Sequence, residues 1–128
     1  MILDDFIDIP FKKNSASLDG ADCYGLVRLY FMAKGIELPS FNIGTDETLR
    51  IYKNFIKEIK ARWQFVEVPE VDCVVALAMD AKHANTVNHF GVMVSKSLML
   101  HVMENGGSVI EEVDKYKYQV KGFYRWQI

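Results

Sequence analysis

Two kinds of hydrophobic spacing divide the chain near residue 62. Leu26, Leu29, Tyr30 and Ala33 recur at three- and four-residue intervals, the spacing of one buried helix face. Asp19 or Asp22 can cap the start of this helix, with Cys23 at or just inside its N-terminus. Gly35 is a natural left-handed stop, and Pro39 blocks continuation, so the helix is predicted to run to about Lys34. A second helix is predicted from Thr45 or Asp46 to near Arg62. Leu49, Tyr52, Phe55, Ile56 and Ile59 form its apolar stripe, while Arg50, Lys53, Asn54, Lys57 and Lys60 face water. Ahead of both, Ile2, Leu3, Phe6, Ile7 and Ile9 before Pro10 predict a short helix and an extended entry at Phe11.

After residue 62 the period shortens. Residues 71–79, 87–95, 98–104, 108–113 and 120–126 are apolar or alternating runs of strand length, bounded by turn residues. Asn105-Gly106-Gly107 signals a hairpin with glycines suited to positive φ, and Ser95-Lys96-Ser97 is a second tight connection. Short connections make successive strands antiparallel neighbours. Helices first and a meander afterwards give an α+β class: N-terminal helices packed on an antiparallel sheet of about five to six strands. With no repeat or linker in the chain, residues 1–128 are expected to form one domain.

Composition narrows the partners. A formal net charge of −2 with interspersed signs offers no basic stripe, so nucleic acid is not expected. The longest apolar run, Val74 to Met79, is too short to cross a membrane. Met1-Ile2-Leu3-Asp4-Asp5 lacks the basic flank and long apolar core of a signal peptide, so the chain is expected to be cytoplasmic when synthesised. Cys23 and Cys73 make neither a disulfide framework nor a zinc pattern, and no metal or cofactor is expected.

The two cysteines differ in setting. Cys73 lies in Val71-Asp72-Cys73-Val74-Val75-Ala76, a run expected to be buried, where a thiol is a small inert hydrophobe. Cys23 follows a loop of small and polar residues at a helix start, where unpaired N–H groups and the helix dipole favour the thiolate. Gly25 lets other backbone approach the first turn closely. Such a cysteine is ordinarily a packing residue unless a base is at hand. His89 and His101 supply one: they lie on strands joined near Lys96, at positions of like parity, so one face of the sheet can hold both rings. A thiol, a base and a group that orients the base is the logic of nucleophilic catalysis. His83, in a polar loop, is expected to be solvated.

Taken together, Asp22-Cys23-Tyr24-Gly25-Leu26-Val27, Gly35-Ile36-Glu37-Leu38-Pro39, His89-Phe90-Gly91-Val92 and Leu100-His101 resemble the NlpC-type family of papain-like cysteine peptidases. The resemblance is closer to the branch found in bacteriophage tail-assembly proteins, through Met99-Leu100-His101-Val102-Met103-Glu104 and Gly122-Phe123-Tyr124-Arg125. It implies a peptidase cutting peptidoglycan stem peptides at the γ-D-glutamyl–diamino acid bond or nearby. Cys23 would be the nucleophile, His89 the base and His101 the orienting residue. The Cys23 N–H would serve the oxyanion hole, Asp22 would bind a free amine, and Tyr24 would touch substrate. It also implies phage tail proteins as partners and a place in the virion tail. Tyr24 stands where the family commonly has Ser, Phe90 where it has a small aliphatic residue, and Phe6 or Phe11 would supply the aromatic that lines the site. Two alternatives stand beside this: a structural tail component with little activity, and a thiol amidase or acyltransferase on the same fold.

Overall fold

The computed structural model describes residues 3–40 and 48–127. Its first regular element is a single 3-10 turn, Leu3–Phe6, shorter than the helix its apolar residues predict. Strands β1 (Ala16–Ser17) and β2 (Gly20–Ala21) pair as a small antiparallel hairpin that delivers the chain to α1 (Cys23–Met32). The helix stops two residues before Lys34, and Gly35 then takes the left-handed conformation at φ +80° that its lack of a Cβ allows. Helix α2 spans Thr48–Arg62. Its expected openers, Thr45 and Asp46, lie outside the described residues.

The α+β class is observed. Six strands form one sheet: β3 (Trp63–Val66), β4 (Val74–Leu77), β5 (His89–Met93), β6 (Leu98–His101), β7 (Val109–Glu112) and β8 (Val120–Trp126). The spatial order is β3-β8-β4-β5-β6-β7, and each neighbouring pair is antiparallel. The simple meander expected from the short connections therefore holds only for β4 to β7. β8 returns across the sheet to lie between β3 and β4, bonding Phe123 opposite both Val66 and Val75. The sequence does not announce β3, because it follows α2 without turn residues and leaves Phe65 57% exposed. What holds it is pairing with β8, including Trp63 against Trp126 with ring centroids 4.9 Å apart.

Alternation along the strands gives the sheet two different faces. On one, Val74, Val92 and Leu100 pack against Leu26, Val27, Tyr30 and Phe31 of α1. Each such fully buried aliphatic or aromatic side chain contributes about 1.5–3 kcal/mol of burial. The other face carries Val75, Leu77, Met93 and Met99, covered by Val113 and Tyr116. Helix α2 lays Phe55 on Ala76 and Val87, with Tyr52, Ile56 and Ile59 alongside. Leu49, predicted in the same stripe, is 58% exposed. Gly107 serves close approach rather than positive φ: a Cβ there would meet the Asp8 Cα at 3.1 Å, and Gly35 is the one glycine with positive φ among the described residues. Among those residues no helix is long and apolar enough to cross a membrane.

Candidate active site

The start of α1 is built by the loop before it. Asp22, not Asp19, is the N-cap: its Oδ1 accepts from the Gly25 amide at 2.7 Å and its Oδ2 from the Asn14 amide at 2.9 Å. The Asp22 amide donates to the Ser15 carbonyl, which lies against the first helical turn. A Cβ at residue 25 would fall 1.9 Å from that carbonyl oxygen, so glycine is required there for backbone approach. Burial pushes the Asp22 carboxyl up, against the two amides and the charge of Arg28. With an amide on each oxygen, Asp22 acts first as a cap.

Cys23 is the first residue of α1, as expected, and is buried. Its thiol departs from expectation. Burial, then the Asp22 charge, pushes it up to about 12, outweighing the amides of Phe90, Tyr24 and Cys23 itself. The helix-end donors are present but lose to desolvation, because a thiolate removed from water and set beside a carboxylate is disfavoured by both. At neutral pH the resting sulfur carries its proton.

The two histidines meet as their parity predicts. His89 Nε2 lies 3.0 Å from His101 Nδ1, with both rings buried and 73° apart in plane. Beyond them stands a residue the sequence reading missed. His101 Nε2 lies 2.7 Å from Glu111 Oε2, and Glu111 also accepts from Lys115 Nζ at 2.6 Å and Tyr116 Oη at 2.8 Å. Burial acts to raise the Glu111 carboxyl, but the hydrogen bonds from Lys115, His101 and Tyr116 prevail and bring it down to about 2. Glu111 is therefore an anion and an acceptor. His101 must then carry its proton on Nε2, and in the neutral ring Nδ1 accepts the Nε2–H of His89. The lone pair of His89 is left on Nδ1. Burial lowers His89 to about 3, a charge on His101 acting in the same direction when present, so this ring is neutral across the neutral range. The signal for Glu111 was available in the alternation of β7, where residue 111 faces Met99 and so shares the histidine face.

The rings lie on the sheet face of Leu77 and Met93, whereas α1 packs on the other. β5 and β6 pair only at Val92–Leu100 and Met93–Met99 and are unpaired toward His89. Phe90 belongs to that unpaired stretch, and its amide approaches the Cys23 sulfur. The thiol thus sits at the residue next to His89, and among the described residues no hydrogen bond joins Sγ to the imidazole.

A cavity of about 260 Å³ opens over the thiol, between α1 and α2. Asp22, Cys23 and Tyr24 line it, with Phe90 and Tyr124 as aromatic walls. Tyr24 is fixed by donating its hydroxyl to the Pro39 carbonyl at 2.7 Å and by an edge contact with Phe90. Neither Phe6 nor Phe11 is among the cavity residues: Phe6 is buried beside Tyr30, and Phe11 packs on the core beneath α1. Cys73 is buried in the cluster of Val75, Leu77, Met93 and Met99, its thiol pushed up by burial. His83 is exposed and paired with Asp80 at 3.0 Å.

No family model and no curated protein matches this sequence. Solved structures do match its fold. An NLP/P60-family protein similar to lipoprotein, from Staphylococcus aureus subsp. aureus Mu50, superposes with a TM-score of 0.67 at 16% identity over 98% of this chain. NlpC2 from Trichomonas vaginalis gives 0.66 at 16% identity over 95%, and the NlpC/p60 domain of the peptidoglycan hydrolase SagA gives 0.63 at 11% over 94%. The chain spans 40% and 44% of the length of the first two, and 89% of the third. The fold is that of NlpC/P60 proteins.

Proposed function

We propose that the chain is a cysteine peptidase that hydrolyses peptidoglycan stem peptides, at the γ-D-glutamyl–diamino acid bond or close to it. The observation that carries this reading is the His89–His101–Glu111 relay, two buried rings and a partly exposed carboxylate, whose inner ring is the neighbour of the residue that holds the Cys23 sulfur. Burying two imidazoles costs stability unless each is hydrogen-bonded, and here each is. The likeness to the SagA peptidoglycan-hydrolase domain supports the substrate class.

This mechanism requires Sγ of Cys23 to reach His89 Nδ1 past the Phe90 backbone, since α1 and the rings lie on opposite faces of the sheet. The sulfur attacks the scissile carbonyl carbon as His89 takes its proton. The C–N bond then breaks, the amine leaves with that proton, and a thioester remains on Cys23. Water, deprotonated by the same nitrogen, hydrolyses the thioester and restores the thiol. Burial disfavours the His89 imidazolium, and the hydrogen bonds from its Nε2–H to His101 and from His101 Nε2–H to the Glu111 anion offset part of that cost. The unpaired N–H groups at the start of α1 offer the oxyanion its donors. Because the resting thiol is protonated, nucleophile and base meet as a neutral pair and separate charge only when substrate is bound. A place in a phage tail rests on the sequence resemblance and belongs to the same proposal.

The protonated thiol, with no hydrogen bond to the imidazole among the described residues, also favours a second reading, a structural tail component with little activity. Incubation with defined stem peptides, including fragments that begin at the D-glutamate, followed by mass spectrometry separates the two. New free amines at the γ-glutamyl bond support the peptidase; intact peptides throughout support the structural role.

A further inference from the structure

Helix α2 carries five of the chain's 15 basic residues and one of its 17 acidic residues, although the whole sequence is net acidic. Separated by apolar positions in the sequence, these cations form a stripe only once the helix is wound. Arg50 and Lys57 stand two turns apart in one column, and Lys53 and Lys60 in the next, on a ridge about 15 Å long. All four are exposed. The single acid, Glu58, turns inward to line the cavity over Cys23, and it pairs with Arg62 at 3.9 Å. Among the described residues no carboxylate pairs with Lys53, Lys57 or Lys60. Asp46 and Glu47, which precede α2, lie outside those residues.

A solvated helix face ordinarily sets acids three or four residues from its bases, because like charges at that spacing repel. Here Lys53 and Lys57 are four apart and Lys57 and Lys60 three apart, with no acid on their face. The helix dipole accounts for Lys60 and Arg62 in the last turn but not for Lys53 and Lys57. An anion laid along the ridge removes the repulsion.

We infer that this ridge is a docking surface for a linear polyol-phosphate polymer, held beside the cavity over Cys23. Three observations choose that occupant. Three of the four ridge cations are lysines, flexible point charges that suit phosphate; the carboxylates of a protein partner favour the guanidinium fork, and protein interfaces are depleted in lysine. No aromatic side chain stands among them to stack a nucleic-acid base, since Tyr52 and Phe55 pack inward. Ile56 and Ile59 also pack on the core, so apart from Leu49 in the first turn the helix has no apolar face left to bury in lipid. A repeated phosphodiester without bases or acyl chains meets all three conditions. Asn54 lies between the Arg50–Lys57 column and Glu58 and itself lines the cavity, so a polymer on the ridge runs along the cavity rim. The inference concerns binding alone and does not depend on the peptidase reading.

Calorimetric titration of the full chain with poly(glycerol phosphate) at several salt concentrations tests it. The logarithm of the affinity is expected to fall with the logarithm of salt at a slope of about −2 to −3, the release expected for three or four neutralised phosphates on a flexible chain. Lys53→Gln, Lys57→Gln and Lys60→Gln together keep helix propensity and should weaken binding about tenfold or more, with less than half the slope. Arg at the same three positions keeps the charge and should bind like the wild type, and thermal melts check both folds. Unchanged binding by the triple glutamine variant, or no binding of the polymer by the wild type, overturns the surface. So does binding of single-stranded DNA, phosphatidylglycerol vesicles or poly-glutamate as tight as that of the polyol phosphate, which would assign the ridge to a nucleic acid, a membrane or a carboxylate partner instead.

Discussion

His101 gives its Nε2–H to Glu111 across 2.7 Å, and this contact places a proton on the outer nitrogen of the relay's middle ring. With Glu111 ionised and the His101 ring neutral, His101 has a lone pair at Nδ1, His89 has a proton at Nε2, and the basic nitrogen of His89 is the one turned away from His101. Reversing either ring would put two protons or two lone pairs face to face at 3.0 Å.

Glu111→Gln is therefore expected to lower kcat/KM about tenfold or more with little change in KM, less than the loss of a general base. An amide can still accept from His101 but supplies no charge to stabilise the His89 imidazolium. Glu111 is a positioning residue, and ¹⁵N chemical shifts distinguish this from general damage. The wild-type spectrum should show His89 protonated at Nε2, and the variant a mixture of tautomers. An unaltered tautomer population with unaltered activity would contradict the assignment.

Replacing the histidines separates their roles. His89→Ala removes the proton acceptor and should cost about 10²–10⁴-fold. His101→Ala leaves thiol and base in place and should cost less, and His101→Asn should recover part of the loss through its side-chain carbonyl, which can accept from His89 Nε2. Turnover of one stem-peptide fragment by all four proteins is the comparison. Equal inactivity of both alanine variants with no rescue would make His101 the better candidate for the base.

Thiol reactivity should follow burial. Iodoacetamide is expected to reach Cys23 through the cavity and to spare Cys73, but labelling at pH 7 should be slower than that of a free thiol and should rise steeply above pH 9, as the thiol lies near 12. Peptide mapping of the alkylated protein reads both sites. Fast, pH-independent labelling of Cys23 would mean a resting ion pair with His89, and labelling of Cys73 first would contradict the burial argument.

Stability should fall in acid, in two stages. His89 is lowered from 6.5 to about 3, so its contribution is complete above pH 6.5 and is lost as pH falls toward 3. Glu111 is lowered from 4.5 to about 2, so its contribution is present above pH 4.5 and is lost as pH falls toward 2. Melting temperatures measured from pH 8 to pH 3 should decline below about 6.5, and His89→Gln should flatten the upper part of that decline. A flat wild-type profile from pH 7 to pH 4 would show that the ring is not buried neutral.

Much of this was legible in the residues. Apolar spacing located both helices, and the positions of Gly35 and Arg62 fixed where each ends to within a few residues. Like parity brought His89 and His101 to one face because a strand's side chains alternate strictly. What escaped was non-local. β3 is held by its partner β8 rather than by its own pattern, and the return of β8 across the sheet is not encoded in any turn. Glu111 joins the histidines only through strand pairing, which sets it opposite Met99. The thiol was misjudged for the same reason: the helix end is a local feature, whereas the desolvation that overrides it comes from the sheet and the loop packed around it.

Hydroxylamine partitioning reports on covalent catalysis by Cys23, because a thioester there is intercepted by that nucleophile in competition with water. Peptides beginning at γ-D-glutamate are incubated with the enzyme and increasing hydroxylamine, and the products are weighed by mass spectrometry. The account predicts a γ-D-glutamyl hydroxamate that grows at the expense of the free acid and is absent with Cys23→Ala. Cleavage that yields only the free acid at every hydroxylamine concentration and persists in Cys23→Ala would contradict it.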